Sequence, residues 1–65
     1  MNKFKIKELR KKMNLTVQEL SVKSGVALGY VSALENDKRG LTNPSMEIMV
    51  KISNALGYSA NEVFF

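Results

Sequence analysis

The stretch that decides the fold covers residues 16–36 and reads TVQELSVKSGVALGYVSALEN. It begins with a capping box, in which the side chains of Thr16 and Glu19 each satisfy a free backbone N–H of the other residue. Gly25 then supplies the left-handed conformation that ends a helix without strain on a Cβ atom. The sequence therefore predicts a short helix between Thr16 and Gly25. Its expected apolar contacts are Val17 and Leu20, with Val22 as a further candidate.

A second helix is predicted after the glycine, over residues 27–36. Val26 is expected to be a buried residue of the turn between the two helices. Val31 and Leu34 form an apolar pair three residues apart, which is the spacing of one helical face. Two short helices joined by a tight turn are the elements of a helix-turn-helix, but a plain helical bundle contains them as well. The local pattern leaves both interpretations open.

The segment before this stretch predicts a basic first helix. Ile6, Leu9 and Met13 recur on one helical face, and the helix should end near Asn14. The first twelve residues carry six basic side chains against one acid, Glu8, in a chain of net charge +4. This asymmetry indicates a polyanionic partner, although solvated lysine faces are also common.

Two further helices are predicted after a polar loop over residues 36–43. Pro44 is suited to the first turn of a long helix, and Gly57 closes that helix. A second capping box, formed by Ser59 and Glu62, then opens a short last helix. The expected apolar stripe of the long helix consists of Met46, Ile48, Met49, Ile52, Ala55 and Leu56.

Composition excludes several classes of function. The chain is long enough for one domain, residues 1–65, and lacks cysteine and histidine, so neither disulfides nor a Cys/His zinc site can form. Catalysis would need convergent carboxylates or a glycine-rich phosphate loop after a strand, and the pattern predicts neither. No apolar run approaches the roughly 18 residues of a membrane span, and the N terminus lacks a secretory signal pattern. We expect a cytoplasmic all-α protein of five helices that is not an enzyme and has no cofactor or small-molecule ligand.

Taken together, these motifs resemble the lambda-repressor-like family of Cro/C1-type (XRE-type) helix-turn-helix proteins. The matching segments are LTVQEL (15–20), SGV (24–26), YVS (30–32), LEN (34–36), NPS (43–45), KI (51–52), ALGYS (55–59) and EVF (62–64). The resemblance implies a compact five-helix DNA-binding domain with the helix-turn-helix at helices 2 and 3. It also implies that Arg10 pairs with Glu35 in a structural ion pair, the alternative being two separately solvated charges.

The function implied by the resemblance is sequence-dependent binding to double-stranded DNA as a transcriptional regulator of bacterial, phage or plasmid origin. Repression is favoured over activation, and both remain open. The recognition helix, residues 27–36, would enter the major groove. The alternative is a protein interaction module of the same fold. We expect a homodimer on two half-sites, through an apolar patch that could instead close the domain's own core. The patch consists of Val63, Phe64 and Phe65.

The residues that the resemblance places against the bases are unusual, because only Ser32 among them has a polar side chain. Three interpretations follow. The apolar side chains contact thymine methyl groups while Gly29 permits close approach, or DNA shape provides the specificity, or Leu28, Gly29 and Tyr30 form a protein-binding patch. The base-facing candidates are Ala27, Leu28, Gly29, Ser32 and Ala33.

Phosphate contacts are expected at the start of the second helix and in the basic loop after the recognition helix. A helix N terminus offers free N–H groups to an anion, and lysine and arginine neutralise phosphate charge. Lys38 and Arg39 fit a solvated loop equally well. The phosphate candidates are Thr16, Gln18, Tyr30, Asn36, Lys38 and Arg39.

Overall fold

The computed structural model describes residues 4–38 and 40–65, and within these ranges the chain forms helices and no strands. The helices are α1 (Ile6–Lys12), α2 (Val17–Ser24), α3 (Leu28–Glu35), α4 (Met46–Leu56) and α5 (Ala60–Phe64). The predicted all-α fold of five helices is therefore confirmed.

One hydrophobic core holds the helices together. α2 packs against both α3 and α4, α4 packs against α5, and α1 contacts α3, α4 and α5. At the edge of the core, the rings of Phe4 and Phe64 meet edge to face with 5.1 Å between their centroids. Each fully buried branched or aromatic side chain stabilises such a fold by about 1.5–3 kcal/mol. The buried apolar residues are Ile6, Leu9, Leu20, Val26, Val31, Leu34, Ile52, Ala55, Leu56, Val63 and Phe64.

The two ends of α2 are formed by the residues that the sequence predicts. The backbone N–H of Glu19 donates to Thr16 Oγ1 over 3.0 Å, and the N–H of Thr16 donates to Glu19 Oε1 over 2.8 Å. At the other end, Gly25 has a φ of 75°, in the left-handed region that a side chain would strain. The predicted capping box and glycine end are both confirmed.

The capping box of α5 is also confirmed. Ser59 Oγ accepts from the N–H of Glu62 over 3.2 Å, and Glu62 Oε1 accepts from the N–H of Ser59 over 2.9 Å. The hydrogen bond from the Ser59 backbone lowers the pKa of the Glu62 carboxyl below its usual value. Gly57 ends α4 with a φ of 78°, as predicted.

Three apolar residues expected in the core are exposed instead. Met13 lies beyond the end of α1, where Asn14 adopts a left-handed φ of 57° and turns the chain away. Val22 lies two residues after the buried Leu20 and thus on the opposite side of α2. Met46 is the first residue of α4, and its side chain is exposed.

The predicted place of Pro44 in the first turn of the fourth helix is wrong. Ser45 is the N-cap of α4, and its hydroxyl accepts from the N–H of Ile48 over 3.2 Å. Pro44 precedes this cap and is buried. Serine is the better N-cap residue because its side chain accepts from a backbone N–H that would otherwise have no partner in the helix.

Candidate nucleic-acid interface

The turn between α2 and α3 is held by serine hydroxyls as well as by Gly25. Ser21 Oγ donates to the carbonyl of Val26 over 2.6 Å, and the N–H of Val26 donates to Ser24 Oγ over 3.2 Å. The side chain of Val26 is buried beneath the turn, as predicted. These contacts fix the angle between the two helices, and the sequence analysis missed the part that Ser21 plays in them.

Arg10 and Glu35 form a buried ion pair that connects α1 to the end of α3. Arg10 Nε donates to Glu35 Oε2 over 2.7 Å, and Arg10 Nη2 donates to Glu35 Oε1 over 3.0 Å. The remaining terminal nitrogen, Nη1, donates to the carbonyl of Leu15 over 2.8 Å. Two parallel bonds of this kind set both distance and orientation. Arg10 thus connects the C-terminal end of α3 to α1 and to the loop before α2, and its charge is not part of the basic surface.

The outer face of α3 is the candidate surface for base contacts, and we define it as Ala27, Leu28, Gly29, Ser32 and Ala33. Four of these residues are exposed and Ser32 is partly exposed. Leu28 is the largest apolar side chain of this face, and it leaves 47% of its surface accessible. The structure thus places all five base-facing candidates together at the surface of α3 and its N-cap, Ala27.

Hydrogen bonds within α3 occupy the polar groups at the end of this face. The side-chain amide of Asn36 donates to the carbonyl of Ser32 over 2.9 Å and to Ser32 Oγ over 3.3 Å. Asn36 is one helical turn beyond Ser32, so the two side chains meet on the same side of the helix. In this structure the N–H groups of Asn36 are engaged within the protein rather than directed outward.

No neighbouring atom in the domain requires residue 29 to be a glycine. A Cβ atom built at this position meets no atom of the described residues within 4 Å, and the backbone lacks the positive φ that favours glycine. Alanine would therefore fit this site without strain. The packing of the described residues therefore gives no reason for a glycine here.

The phosphate candidates other than Asn36 lie at separate places in the chain. Thr16 and Gln18 are exposed together at the start of α2, where the Thr16 hydroxyl also serves as the helix cap. Tyr30 is partly buried against the core, and Lys38 is exposed in the loop after α3. Arg39 lies outside the described residues.

Asp37 organises the loop after α3, a role that the sequence analysis did not predict. Its carboxylate accepts from the hydroxyl of Thr42, from the N–H of Thr42 over 2.8 Å and from the N–H of Leu41 over 2.9 Å. These hydrogen bonds, that of the Thr42 hydroxyl above all, lower the pKa of Asp37 from 3.8 to about 2. The signal in the sequence is an aspartate at a helix end followed by a threonine five residues later, since short polar side chains often bond nearby backbone.

The predicted dimer contact through Val63 and Phe64 is wrong. Their side chains are only 1% and 4% exposed, because α5 turns both of them into the core of the same domain. Phe65 is 78% exposed beside them. Of the three residues in the predicted patch, Phe65 is the one available to a second protein.

A motif of two helices with a fixed turn, whose second helix exposes its outer face, defines a helix-turn-helix domain. The family model of the helix-turn-helix proteins matches residues 6–63, and this chain belongs to that family. The resemblance stated from the sequence is thus confirmed.

The chain is similar to transcriptional regulators of Bacillus. It is 37% identical over 57 residues to the HTH-type transcriptional regulator SinR of Bacillus subtilis (strain 168), a match that covers 88% of this chain and 50% of SinR. It is also 37% identical over 60 residues to SlrR of the same strain, covering 91% of this chain and 38% of that protein. The chain therefore spans half or less of the length of these relatives.

Solved structures of SinR have the same fold. The solution structure of the N-terminal DNA-binding domain of SinR from Bacillus subtilis has a TM-score of 0.79, covering 94% of this chain and 86% of that one. A crystal structure of SinR in complex with DNA has a TM-score of 0.78, covering 88% and 87%. A complex of SinR with the SinI protein also matches, with a TM-score of 0.79 over 88% of this chain and 53% of that one. The sequence identity is 37% in all three cases.

Two findings on the described part of the chain concern other kinds of site. None of the described helices combines the length and apolar character needed to cross a bilayer. Among residues 4–38 and 40–65, no three His, Cys, Asp or Glu side chains are grouped so that they could hold a metal ion.

Proposed function

We propose that this chain binds duplex DNA as a transcriptional regulator, with the outer face of α3 in the major groove. The observation that carries the proposal is the contrast within α3, whose inner side is anchored by Glu35 while its outer side is free for contact. A helix held in this way can enter the groove with its N-terminal residues at the base edges. The likeness to SinR, which has been solved in complex with DNA, supports the same assignment.

Phosphate contacts would set the register of α3 in the groove. Thr16 and Gln18 are exposed at the start of α2, and the N-terminal end of a helix favours an anion. Lys38 would add charge from the loop that Asp37 holds in shape. Tyr30, Asn36 and Arg39 complete the proposed set, although Asn36 must release its hydrogen bonds to Ser32 before it can donate to phosphate.

The proposed regulator works as a homodimer in the cytoplasm and carries no catalytic activity. One recognition helix reaches only a few base pairs, so two copies on adjacent half-sites would provide the length of a specific operator. Phe65 is the proposed contact residue at the C-terminal side of the domain. A dimer that covers a promoter in this way would act as a repressor.

The test is selection from a random pool of duplex DNA, followed by affinity measurements on the selected site at several salt concentrations. We expect a palindromic motif and an affinity that falls steeply and linearly with the logarithm of salt concentration. Lys38→Ala should reduce the slope of that plot by about one, because one phosphate contact is lost. Lys51→Ala is the matched control, since it removes the same charge from α4, where Lys51 pairs with Glu47.

The outcomes separate the two classes of function. If the protein retains duplex DNA from the pool but no sequence motif is enriched, its DNA binding is non-specific. Absence of retention even at low salt would contradict DNA binding altogether, and a protein partner at Leu28 and Tyr30 would then be sought. If Phe65→Ser leaves a two-to-one complex on the palindrome unchanged, Phe65 is not the dimer contact.

A further inference from the structure

The chemistry of the outer face of α3 restricts what it can recognise in the major groove. Base pairs are distinguished there by hydrogen-bond donors and acceptors and by the C5-methyl group of thymine. Three of the five residues on this face, Ala27, Leu28 and Ala33, have apolar side chains, and Gly29 has none. The face therefore offers few side-chain partners for the polar edges of bases.

The polar residue of this face accepts a hydrogen bond from Asn36, so it offers a base at most one hydroxyl. Ser32 Oγ accepts from the side-chain amide of Asn36, and the Ser32 carbonyl accepts from the same amide. Bidentate recognition of a base needs two outward-directed polar atoms on one side chain, such as those of glutamine, asparagine or arginine. The face lacks such a side chain. Apart from the single hydroxyl of Ser32, the face offers an exposed apolar surface centred on Leu28.

Gly29 removes the obstacle that would keep this surface away from the base edges. A Cβ at Gly29 meets no atom of the described residues within 4 Å, so a side chain there would project outward from α3. Its absence lets the backbone beside Leu28 approach another molecule closely. A shallow apolar contact of this kind suits a methyl group that projects into the groove.

Given the DNA binding proposed above, we infer that Leu28 is a specificity-determining residue that recognises the C5-methyl groups of pyrimidines, with Gly29 allowing the close approach. The sites of this protein are then defined by thymine at the position under Leu28. Because 5-methylcytosine carries its methyl group at the same place on the ring, methylated cytosine substitutes for thymine there better than cytosine does.

The experiment compares thymine with uracil, which differ by the methyl group alone. Duplexes of the selected site are synthesised with each thymine of one half-site replaced in turn by uracil, and dissociation constants are measured by fluorescence anisotropy. For the wild-type protein we expect one or two positions at which uracil weakens binding by about three- to fivefold, the equivalent of one buried methyl group. Replacing thymine there by cytosine should weaken binding, and 5-methylcytosine should restore part of the loss.

Protein variants identify the residue responsible. Leu28→Ala should bind the thymine duplex more weakly than wild type and should no longer distinguish thymine from uracil. Val22→Ala is the matched control because it trims an exposed apolar side chain of α2, and it should discriminate as wild type does. Circular dichroism melting verifies that Leu28→Ala folds, as its partial exposure leads us to expect.

Three results would overturn the inference. A wild-type protein that binds a selected site and tolerates every uracil within twofold has DNA-binding activity but does not recognise methyl groups. Loss of base preference in Ser32→Ala with normal discrimination in Leu28→Ala would assign recognition to hydrogen bonding. Failure to bind any duplex would instead contradict the proposed function itself.

Discussion

The two faces of α3 differ in what surrounds them. On the inner face, Leu34 is fully buried, and the carboxylate of Glu35 is held by two hydrogen bonds from Arg10. On the outer face, Leu28 is half exposed, and Gly29 has no packing reason to be glycine. The inner face is thus determined by the rest of the domain, whereas the described residues give no packing reason for the residues of the outer face.

This difference shows which residues of a small helical domain carry information about its binding partner. Interiors are densely packed, so a residue there is restricted by its neighbours whatever the protein binds. An exposed residue that lowers stability without an internal reason points instead to an external partner. The following predictions test whether the two faces can be changed independently.

The largest effect is expected on the inner face, from Glu35→Ala. It leaves the Arg10 guanidinium buried without its charge partner, which costs about 3–5 kcal/mol in the free energy of unfolding. For a domain of this size that loss is most of the stability, and urea denaturation followed by circular dichroism would measure it.

The double variant Arg10→Met with Glu35→Leu is the control for the buried charge. It removes both charges while keeping side-chain volume, and it should cost far less than Glu35→Ala alone. A loss below about 1 kcal/mol in Glu35→Ala would mean that the pair behaves like a surface salt bridge and does not anchor α3.

Most of the helices and their caps could be predicted, because capping residues act locally and apolar residues recur with the helical period. The two capping boxes and the glycine-terminated C-terminal ends of α2 and α4 depend on residues within one helical turn, and the structure has them as predicted. The boundaries were less certain. Met13 continues the apolar period of α1 but falls beyond its end, and Pro44 competes with Ser45 for the start of α4.

The properties of the site were harder to predict because they depend on three-dimensional contacts. The resemblance assigned the outer face of α3 to residues that the structure leaves exposed or partly exposed. The periodicity of the sequence, in contrast, gives no sign of the hydrogen bond from Asn36 to Ser32. Val63 and Phe64 read equally well as a dimer patch or as core, since an apolar residue near a chain end fits both. Only the packing of α5 decides between them, and it buries both residues.

On the outer face, Gly29→Ala should have a smaller effect. It should raise the stability of the domain and weaken its binding to DNA. Alanine fits the helix without strain and should raise the free energy of unfolding by about 0.4–1 kcal/mol, because the unfolded chain loses freedom. The added methyl group should weaken binding to the selected DNA site by blocking the close approach beside Leu28. Urea denaturation and fluorescence anisotropy on the same preparation measure the two quantities.

Ala33→Gly is the companion variant for this comparison. It should lower stability while leaving the approach of Leu28 open, so its loss of affinity should be smaller than that of Gly29→Ala. If Gly29→Ala raises stability and binds DNA as tightly as wild type, the glycine does not serve a contact with DNA.

The smallest effect is expected in the loop after α3, which Asp37 holds in shape. Its pKa of about 2 is below the usual 3.8, so its carboxylate stabilises the folded state above about pH 4, and this contribution is lost as the pH falls toward 2. Asp37→Asn should therefore flatten the decline of stability between pH 4 and pH 2 and lower stability slightly at neutral pH. Thermal melts across this range measure both, with Glu47→Gln on α4 as the control for net charge. Superimposable profiles for wild type and Asp37→Asn would show that the loop keeps its shape without the charge, and its support of Lys38 would then rest on the backbone alone.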